Sequence, residues 1–293
     1  ILVFSMLAVA CAHTIAKIST QKLALSVISI SLFWESLLIL AQFLLQKSLG
    51  LWVLGERSFS AETSTIAHAT LFGQQILRPY GTFPHPNVAG AFLVFGLIVI
   101  WSSRKITFPI AAIAVLLTFS RTALLVLVTA AFLNFSKNRK LLGVAIAAVL
   151  AIPFGSTVLN SIPTAPIAER LLLLQAALDI SLLNPVFGVG SNNFILELSK
   201  LNLFSLAETR LLQPVHNVFL LILAENGIIG LLLFVSLLMV VAQNVKGTAK
   251  AALFLAITIY ASFDHFLWTL HQGQMLFWLT LGFIVSRNNR RKS

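Results

Sequence analysis

Long apolar runs broken by short polar links leave this chain few folds to choose from. Runs of 14 to 26 residues occupy positions 1–16, 23–46, 87–102, 106–119, 122–136, 141–158, 217–242, 251–268 and 273–286. A helix needs about 20 predominantly apolar residues to cross a bilayer, and fewer where it enters a thinned or cavity-lined region. Apolar residues make up 58% of the chain and charged residues 10%, against roughly 25% charged in soluble domains. That leaves too little polar surface to coat a water-soluble globule. The predicted fold class is an all-α integral membrane protein, a polytopic bundle of nine spans. It reads as one domain over residues 1–293, with a helical loop at 159–215 outside the cytoplasm. Cys11 is the only cysteine, so no intrachain disulfide forms. The chain opens on Ile1 inside an apolar run, without a signal peptide. We read it as an N-terminally incomplete copy of a longer protein.

The distribution of the +11 net charge sets the topology. Lys17, Lys22, Arg104, Lys105, Lys137, Arg139, Lys140, Lys246, Lys250, Arg287, Arg290, Arg291 and Lys292 all lie in links or tails on one side of nine alternating spans. No acidic residue joins them there. Lys/Arg excess in short loops marks the cytoplasmic face, which puts the C-terminus inside and Ile1 outside. A cytoplasmic natural N-terminus then implies one or three further spans. The basic tail anchors on acidic lipid headgroups and does not bind nucleic acid; membrane lipids are the expected surface partner.

Two features interrupt the regular pattern. Spans 106–119 and 122–136 are short and meet at Thr118-Phe119-Ser120-Arg121-Thr122, a junction that can hold Arg121 at membrane depth. In the loop, Ala168 to Leu183 reads as a helix stopped by Asn184-Pro185. The turn Gly188 to Asn193 follows, and then a second amphipathic stretch from Phe194. Leu182, Leu198, Leu203 and Phe204 suggest that both helices lie on the membrane surface.

The polar residues outside the cytoplasmic links collect on the non-cytoplasmic face, among them Arg78, His85, Arg121, Arg170, His216, Asp264 and His265. An ionisable group at membrane depth costs on the order of 3 kcal/mol and usually faces a cavity with a partner. Several arginines with histidines on one face point to an anion, and phosphate suits the guanidinium fork best. Gly227 follows His216 after ten residues, which on a regular helix puts it about 16 Å deeper on nearly the same face. Gly227 and Gly230 would let another helix approach closely there. At a helix N-terminus the dipole favours neutral imidazole, the form a general base needs. His216 can equally be an interfacial helix cap, Arg170 a snorkelling surface arginine, and Gly188 to Asn193 either a phosphate cradle or a capped turn. Glu225 faces away from His216 and pairs structurally. No residues have zinc or magnesium spacing, and no nucleotide fingerprint occurs; no cofactor is expected.

In order along the chain stand Arg-x-x-Gly-x-Phe-x-His-Pro-Asn (Arg78 to Asn87), Ser-Arg-x-Ala-Leu-Leu (Ser120 to Leu125) and Arg-x3-Leu (Arg170, Leu174). Asn-Pro-x-x-Gly-x-Gly (Asn184 to Gly190), His-x10-Gly (His216, Gly227) and Asp264 follow. In that order the chain resembles the O-antigen ligase and O-antigen polymerase superfamily of bacterial envelope glycan enzymes. The resemblance implies a metal-independent glycosyltransferase in lipopolysaccharide or other polysaccharide biosynthesis, at the outer face of the bacterial inner membrane. The donor would be a glycan on a polyprenyl (undecaprenyl) diphosphate, and the acceptor a hydroxyl of a lipid such as lipid A core or of a polysaccharide. It implies His216 as base, Arg121 and Arg170 as diphosphate ligands and Arg78 as a further anion contact. His85, Asp264 and Gly227 are other candidates. The rivals are a Wzy-type polymerase and a lipid-linked-glycan flippase or transporter. A transporter should keep its ionisable groups near the midplane, whereas here they gather at the outer end.

The orientation is tested by cysteine labelling. Positions 190 and 200 should label from outside, and positions 140 and 246 only from the cytoplasmic side; labelling of position 200 from the inside alone overturns the arrangement.

Overall fold

The structure, a computed structural model, describes residues 18–64, 66–71, 73–101, 106–135, 165–201 and 212–286. The spans expected at 1–16 and 141–158 lie outside the described residues, as do Leu203 and Phe204. The chain divides into two units, one of residues 2–151, 246–256 and 278–293, the other of 152–245 and 257–277.

The first unit contains α1 (Ile18–Leu45), a hairpin of β1 (His68–Leu71) and β2 (Gln74–Leu77), α2 (Pro86–Ile100), α3 (Thr107–Leu117) and α4 (Arg121–Phe135). α1 packs on α2 and α3, and α2 packs on α3 and α4. Glycines set two of these approaches. A Cβ on Gly96 would stand 2.6 Å from the Leu32 side chain, and one on Gly90 would stand 3.0 Å from Ala123. α1 buries polar side chains beside Leu32, Leu38 and Ile39 and exposes a row of apolar ones. Glu35, Ser36 and Gln42 are buried while Leu23, Val27, Ile30, Phe33, Trp34 and Leu37 are exposed. A helix in water does the reverse, so the surroundings that suit α1 are hydrocarbon.

Buried polar groups of α1 tie down the segment after it. Gln42 Oε1 accepts from the Tyr80 and Gly81 amides at 2.9 and 2.8 Å, and its Nε2 donates to Glu56 Oε1 at 2.9 Å. Glu56 also accepts from Leu49 and Leu51 N–H at 2.7 and 2.6 Å. Glu35 accepts from the Thr82 amide at 3.1 Å and from the Thr82 hydroxyl. Gln46 Oε1 takes the Leu77 amide at 2.7 Å. Glu35 and Gln42 share one face of α1, Gln46 follows its end at φ +53, and the 77–82 strand-and-turn lies along them.

The hairpin corrects the all-α expectation. Residues 66–77 carry the antiparallel register His68↔Leu77 to Leu71↔Gln74, with Gly73 at φ +81 in the turn. Short strands there satisfy backbone groups that an extended 47–86 segment would otherwise leave unpaired.

The second unit contains α5 (Ala165–Leu183), α6 (Phe194–Lys200), α7 (Val218–Ala242), the end of α8 (Thr248–Phe263), α9 (Phe266–Thr269) and the start of α10 (His271–Val285). α5 packs on α6 and α7. It buries Leu173, Ala176, Ala177 and Ile180 in a core with Phe194, Leu198, Val215, Leu221 and Ala224, the spacing of one helix face. Leu198 is therefore core and not a membrane-surface residue. Leu182, Leu183 and Phe187 stay exposed.

α7 is not one continuous helix. Gly227 takes φ +65, ψ −169, and the backbone of residues 185–190 fills the break. Ile228 N–H donates to Pro185 O at 2.9 Å and Ile229 N–H to Val186 O at 3.4 Å. In return Val189 and Gly190 N–H donate to Ala224 and Glu225 O at 3.0 and 2.8 Å. The loop thus supplies the partners the broken helix lacks. A Cβ on Gly227 would lie 2.2 Å from Val186 O, and one on Gly188 2.3 Å from the Glu225 carbonyl carbon. It is this loop, and not another helix, that approaches Gly227, and the single helical face drawn from His216 to Gly227 ends at the break.

Among the described residues, seven of the nine expected spans coincide with helices, with shifted ends. Lys22–Leu45 and Val218–Ala242 are long and apolar enough to cross a bilayer; Pro86–Ile100, Thr107–Leu117, Arg121–Asn134 and Thr248–Phe263 are apolar but shorter. The span expected at 251–268 stops at Phe263, because Asp264 Oδ1 takes the His265 amide at 2.8 Å and removes that donor from the helix.

Gly227→Ala combines a forced left-handed alanine with a backbone clash, and should cost roughly 3 kcal/mol or more. Gly50→Ala, where φ is +84 but nothing lies within 4 Å, should cost only about 1 kcal/mol. Thermal unfolding of the detergent-purified pair checks the difference; equal loss would refute the docked-loop account.

Candidate active site

His216 sits one residue before the N-cap of α7. Asn217 is the cap: its Oδ1 accepts the Leu220 amide at 2.9 Å, and its Nδ2 donates to Ser262 O at 3.2 Å. The capping role that position alone allowed to His216 thus belongs to its neighbour. The Asn217–Ser262 bond also draws His216 to the end of α8. There its ring meets that of His265, centroids 5.2 Å apart and edge to face at 75°. His265 Nδ1 shares a 2.7 Å hydrogen bond with Thr269 Oγ1, and the buried Asp264 stands beside both rings. Ligand-competent atoms of His216, Asp264 and His265 all lie within 4.8 Å of one another. Residues 48 positions apart in sequence carry no spacing signal for such a trio, so the expectation of no metal-competent cluster needs correcting on geometry.

Burial pushes the His216 imidazole down to about 4. The Asp264 carboxylate opposes this, while the Arg170 guanidinium and the His265 ring add to it. The neutral form expected from the helix dipole is thus favoured mainly by desolvation. His216 Nδ1 is buried and has no hydrogen-bond partner among the described residues. An imidazolium would need a partner for each N–H, so the orphan nitrogen also favours a neutral ring with a lone pair. Arg170, exposed on α5, is close enough for its charge to act on both histidines.

The other candidates separate. Gly227 shapes the helix break and Glu225 is structural, its Oε1 accepting from Phe194 N–H at 3.3 Å. Within Gly188 to Asn193, the Gly188, Val189, Gly190 and Asn193 amides all donate to protein carbonyls, which leaves a docked turn and not a phosphate cradle. In the first unit, Arg78 Nε donates to Thr118 O at 2.9 Å and Nη2 to Asn87 Oδ1 at 2.8 Å. His85 is the N-cap of α2, its Nδ1 accepting the Asn87 amide at 3.1 Å. Both hold the α2 entrance in place. Thr118 and Ser120 are buried, and Arg121 emerges exposed as the first residue of α4. Glu35, Gln42 and Glu56, which fix the Arg78 to Thr82 turn, were missed as a group; the spacing of Glu35 and Gln42 along α1 was the available signal.

The His216 titration should respond to its neighbours with opposite signs. Asp264→Asn removes the stabilising carboxylate and should lower the pKa further. Arg170→Gln removes a repelling cation and should raise it. Ring-carbon NMR shifts against pH measure both; shifts of the same sign would contradict this electrostatic arrangement.

Residues 106–235 match the Wzy_C family model, described as O-antigen ligase. The match takes in Arg121, Arg170, Asn184 to Gly190, His216 and Gly227; Arg78, His85 and Asp264 lie outside it. No curated protein matches the chain. Over residues 106–235 the chain is therefore similar to the O-antigen ligase family, the superfamily whose motifs its sequence resembles.

Proposed function

We propose that this chain transfers a polyprenyl-diphosphate-linked glycan to an acceptor hydroxyl at the outer face of the bacterial inner membrane, as a ligase. The observation that carries the reading is the orphan Nδ1 of a neutral His216, beside Asp264 and Arg170, in the region that matches the ligase family. The acceptor hydroxyl supplies the hydrogen bond that Nδ1 lacks. Nδ1 takes the hydroxyl proton as the acceptor oxygen bonds to the anomeric carbon of the donor sugar. The bond from that carbon to the diphosphate breaks, and the electron pair leaves with the polyprenyl diphosphate. Charge grows on the leaving oxygens, and Arg170 neutralises it. Asp264 stabilises the imidazolium formed in the step. Arg121 is a further diphosphate contact, on the chemistry of its exposed guanidinium and its place in the matched segment. Arg78 and His85 act in this reading through the fold.

No metal is needed for this step. The His216, Asp264 and His265 atoms are close enough to hold one, so the reading is exposed to a direct test. Chelators should leave transfer unchanged. Loss of activity on chelation with recovery on added zinc would make the trio a metal centre and withdraw His216 as base.

His216→Ala should lower transfer by roughly 10²- to 10⁴-fold while the protein still inserts, since the cap is Asn217. With His216 neutral down to about pH 4, the rate should hold as pH falls through 6.5 and drop only towards 4. Wild-type transfer by His216→Ala at matched protein levels would end the enzymatic reading. Arg121→Lys and Arg170→Lys should each lose most activity, because lysine keeps the charge and loses the two-pronged geometry. Accumulation of full-length lipid-linked chains in cells lacking the protein identifies a ligase; accumulation of single repeat units identifies a polymerase.

A further inference from the structure

A second polar site lies wholly in the first unit. The ends of α2, α4 and α10 and the start of α8 enclose a cavity of about 340 Å³, lined by Trp101, Asn134, Lys246, Thr248, Lys250 and Phe283 among others. That volume is in the range of small-ligand sites. One wall is apolar, with Ile98 and Phe283; the other carries two lysines, and none of the described lining residues is acidic.

The charges are held in place. Lys250 is only 7% exposed. Its Nζ donates to Ile284 O and Ser286 O, each at 2.6 Å, carbonyls at the end of α10 where a cation is favoured. Thr248 Oγ1 donates to Asn134 Oδ1 at 3.1 Å and so ties α8 to α4. Gly247, at φ +87, turns the chain so that Lys246 reaches the cavity from the link. Two ammonium groups in one cavity, with carbonyls and no carboxylate around them among the described residues, leave uncompensated positive charge beside apolar side chains.

We infer that this cavity binds the phosphate of an anionic membrane phospholipid, with the headgroup against Lys246 and Lys250 and the first acyl carbons along Ile98 and Phe283. An amphipathic pocket with uncompensated cations fits a ligand whose anion is joined to hydrocarbon. The charge pattern of the links puts it in the cytoplasmic leaflet, where anionic lipids concentrate and basic pockets between helices bind their headgroups. The inference is independent of the glycan-transfer reading; only the leaflet rests on the orientation.

Native mass spectrometry of the full chain in detergent, titrated with phosphatidylglycerol or phosphatidylcholine, tests it. Phosphatidylglycerol should bind roughly thirtyfold tighter at low salt, and Lys246→Gln should weaken that binding roughly fivefold, at about one lysine's share of the attraction. Lys200→Gln, an exposed lysine of the other unit, should leave it unchanged. Lys246 and Thr248 are at the mouth of the site, so a Thr248→Val variant offers a second probe should Lys246→Gln lower the yield. Equal affinity for the two lipids, or an unaltered Lys246→Gln and Thr248→Val, overturns the site. Displacement of the lipid by excess inorganic phosphate alone overturns the lipid assignment in favour of a free anion.

Discussion

Gly188 lies against the backbone of Glu225 and Asn226, Gly227 against that of Val186 and Phe187, and the shape of the unit that holds His216 depends on this docking. A loop enters the break in α7 and exchanges four backbone hydrogen bonds with it, two in each direction. Neither segment could do this with a Cβ at the contact. An unpaired backbone amide in an apolar interior costs several kcal/mol, so break and loop stabilise each other only when docked. The docked loop then leads directly into α6, whose first amide is held by Glu225. Phe194 and Leu198 close the core against α5, the helix that carries Arg170. The spacing of arginine and imidazole therefore rests on glycine chemistry well away from either side chain.

The first unit solves a similar problem with side chains. Glu35 and Gln42 lie on the buried face of a helix whose outer face is apolar, and Gln46 follows its end. In hydrocarbon such groups are tolerated only with partners, and the partners here are the backbone amides of residues 77–82 and the carboxylate of Glu56. The cost of placing polar groups at depth is offset by fixing the turn that runs from Arg78 to the α2 cap at His85. Arg78 shares in that fixing by holding the Thr118 carbonyl, at the junction from which Arg121 emerges.

Opposing effects meet at His216. The helix dipole, burial and the Arg170 charge all favour neutral imidazole, and only Asp264 favours the charged ring. Burial is the largest, because moving an imidazolium out of water is a stronger effect than the fraction of a charge at a helix end. The same balance keeps Asp264 useful: it is too weak to protonate the resting ring, yet it sits where a transient imidazolium would need it.

Much of this was legible in the residues. Apolar runs fixed seven helices among the described residues to within a few positions, since burial in hydrocarbon leaves a composition signal that survives without any partner. The ordered motifs, with Arg170 and His216 among them, pointed to the ligase superfamily. Glu225 was rightly placed off the histidine's face, because half a turn of phase is a local property. Other features were decided by contacts between distant segments. His265 joins His216 from 49 residues away through the Asn217–Ser262 bond, and no periodicity links them. Gly227 reads in sequence as a small residue on a smooth helix; it becomes a break only because residues 185–190 arrive to pair with it. Arg78 and His85 look like free site residues until Thr118 and Asn87 are seen to hold them. Local composition determined which segments are helices and which side chains could do chemistry. Tertiary structure decided which of those side chains meet, because a hydrogen bond between remote backbones leaves no mark on either segment alone.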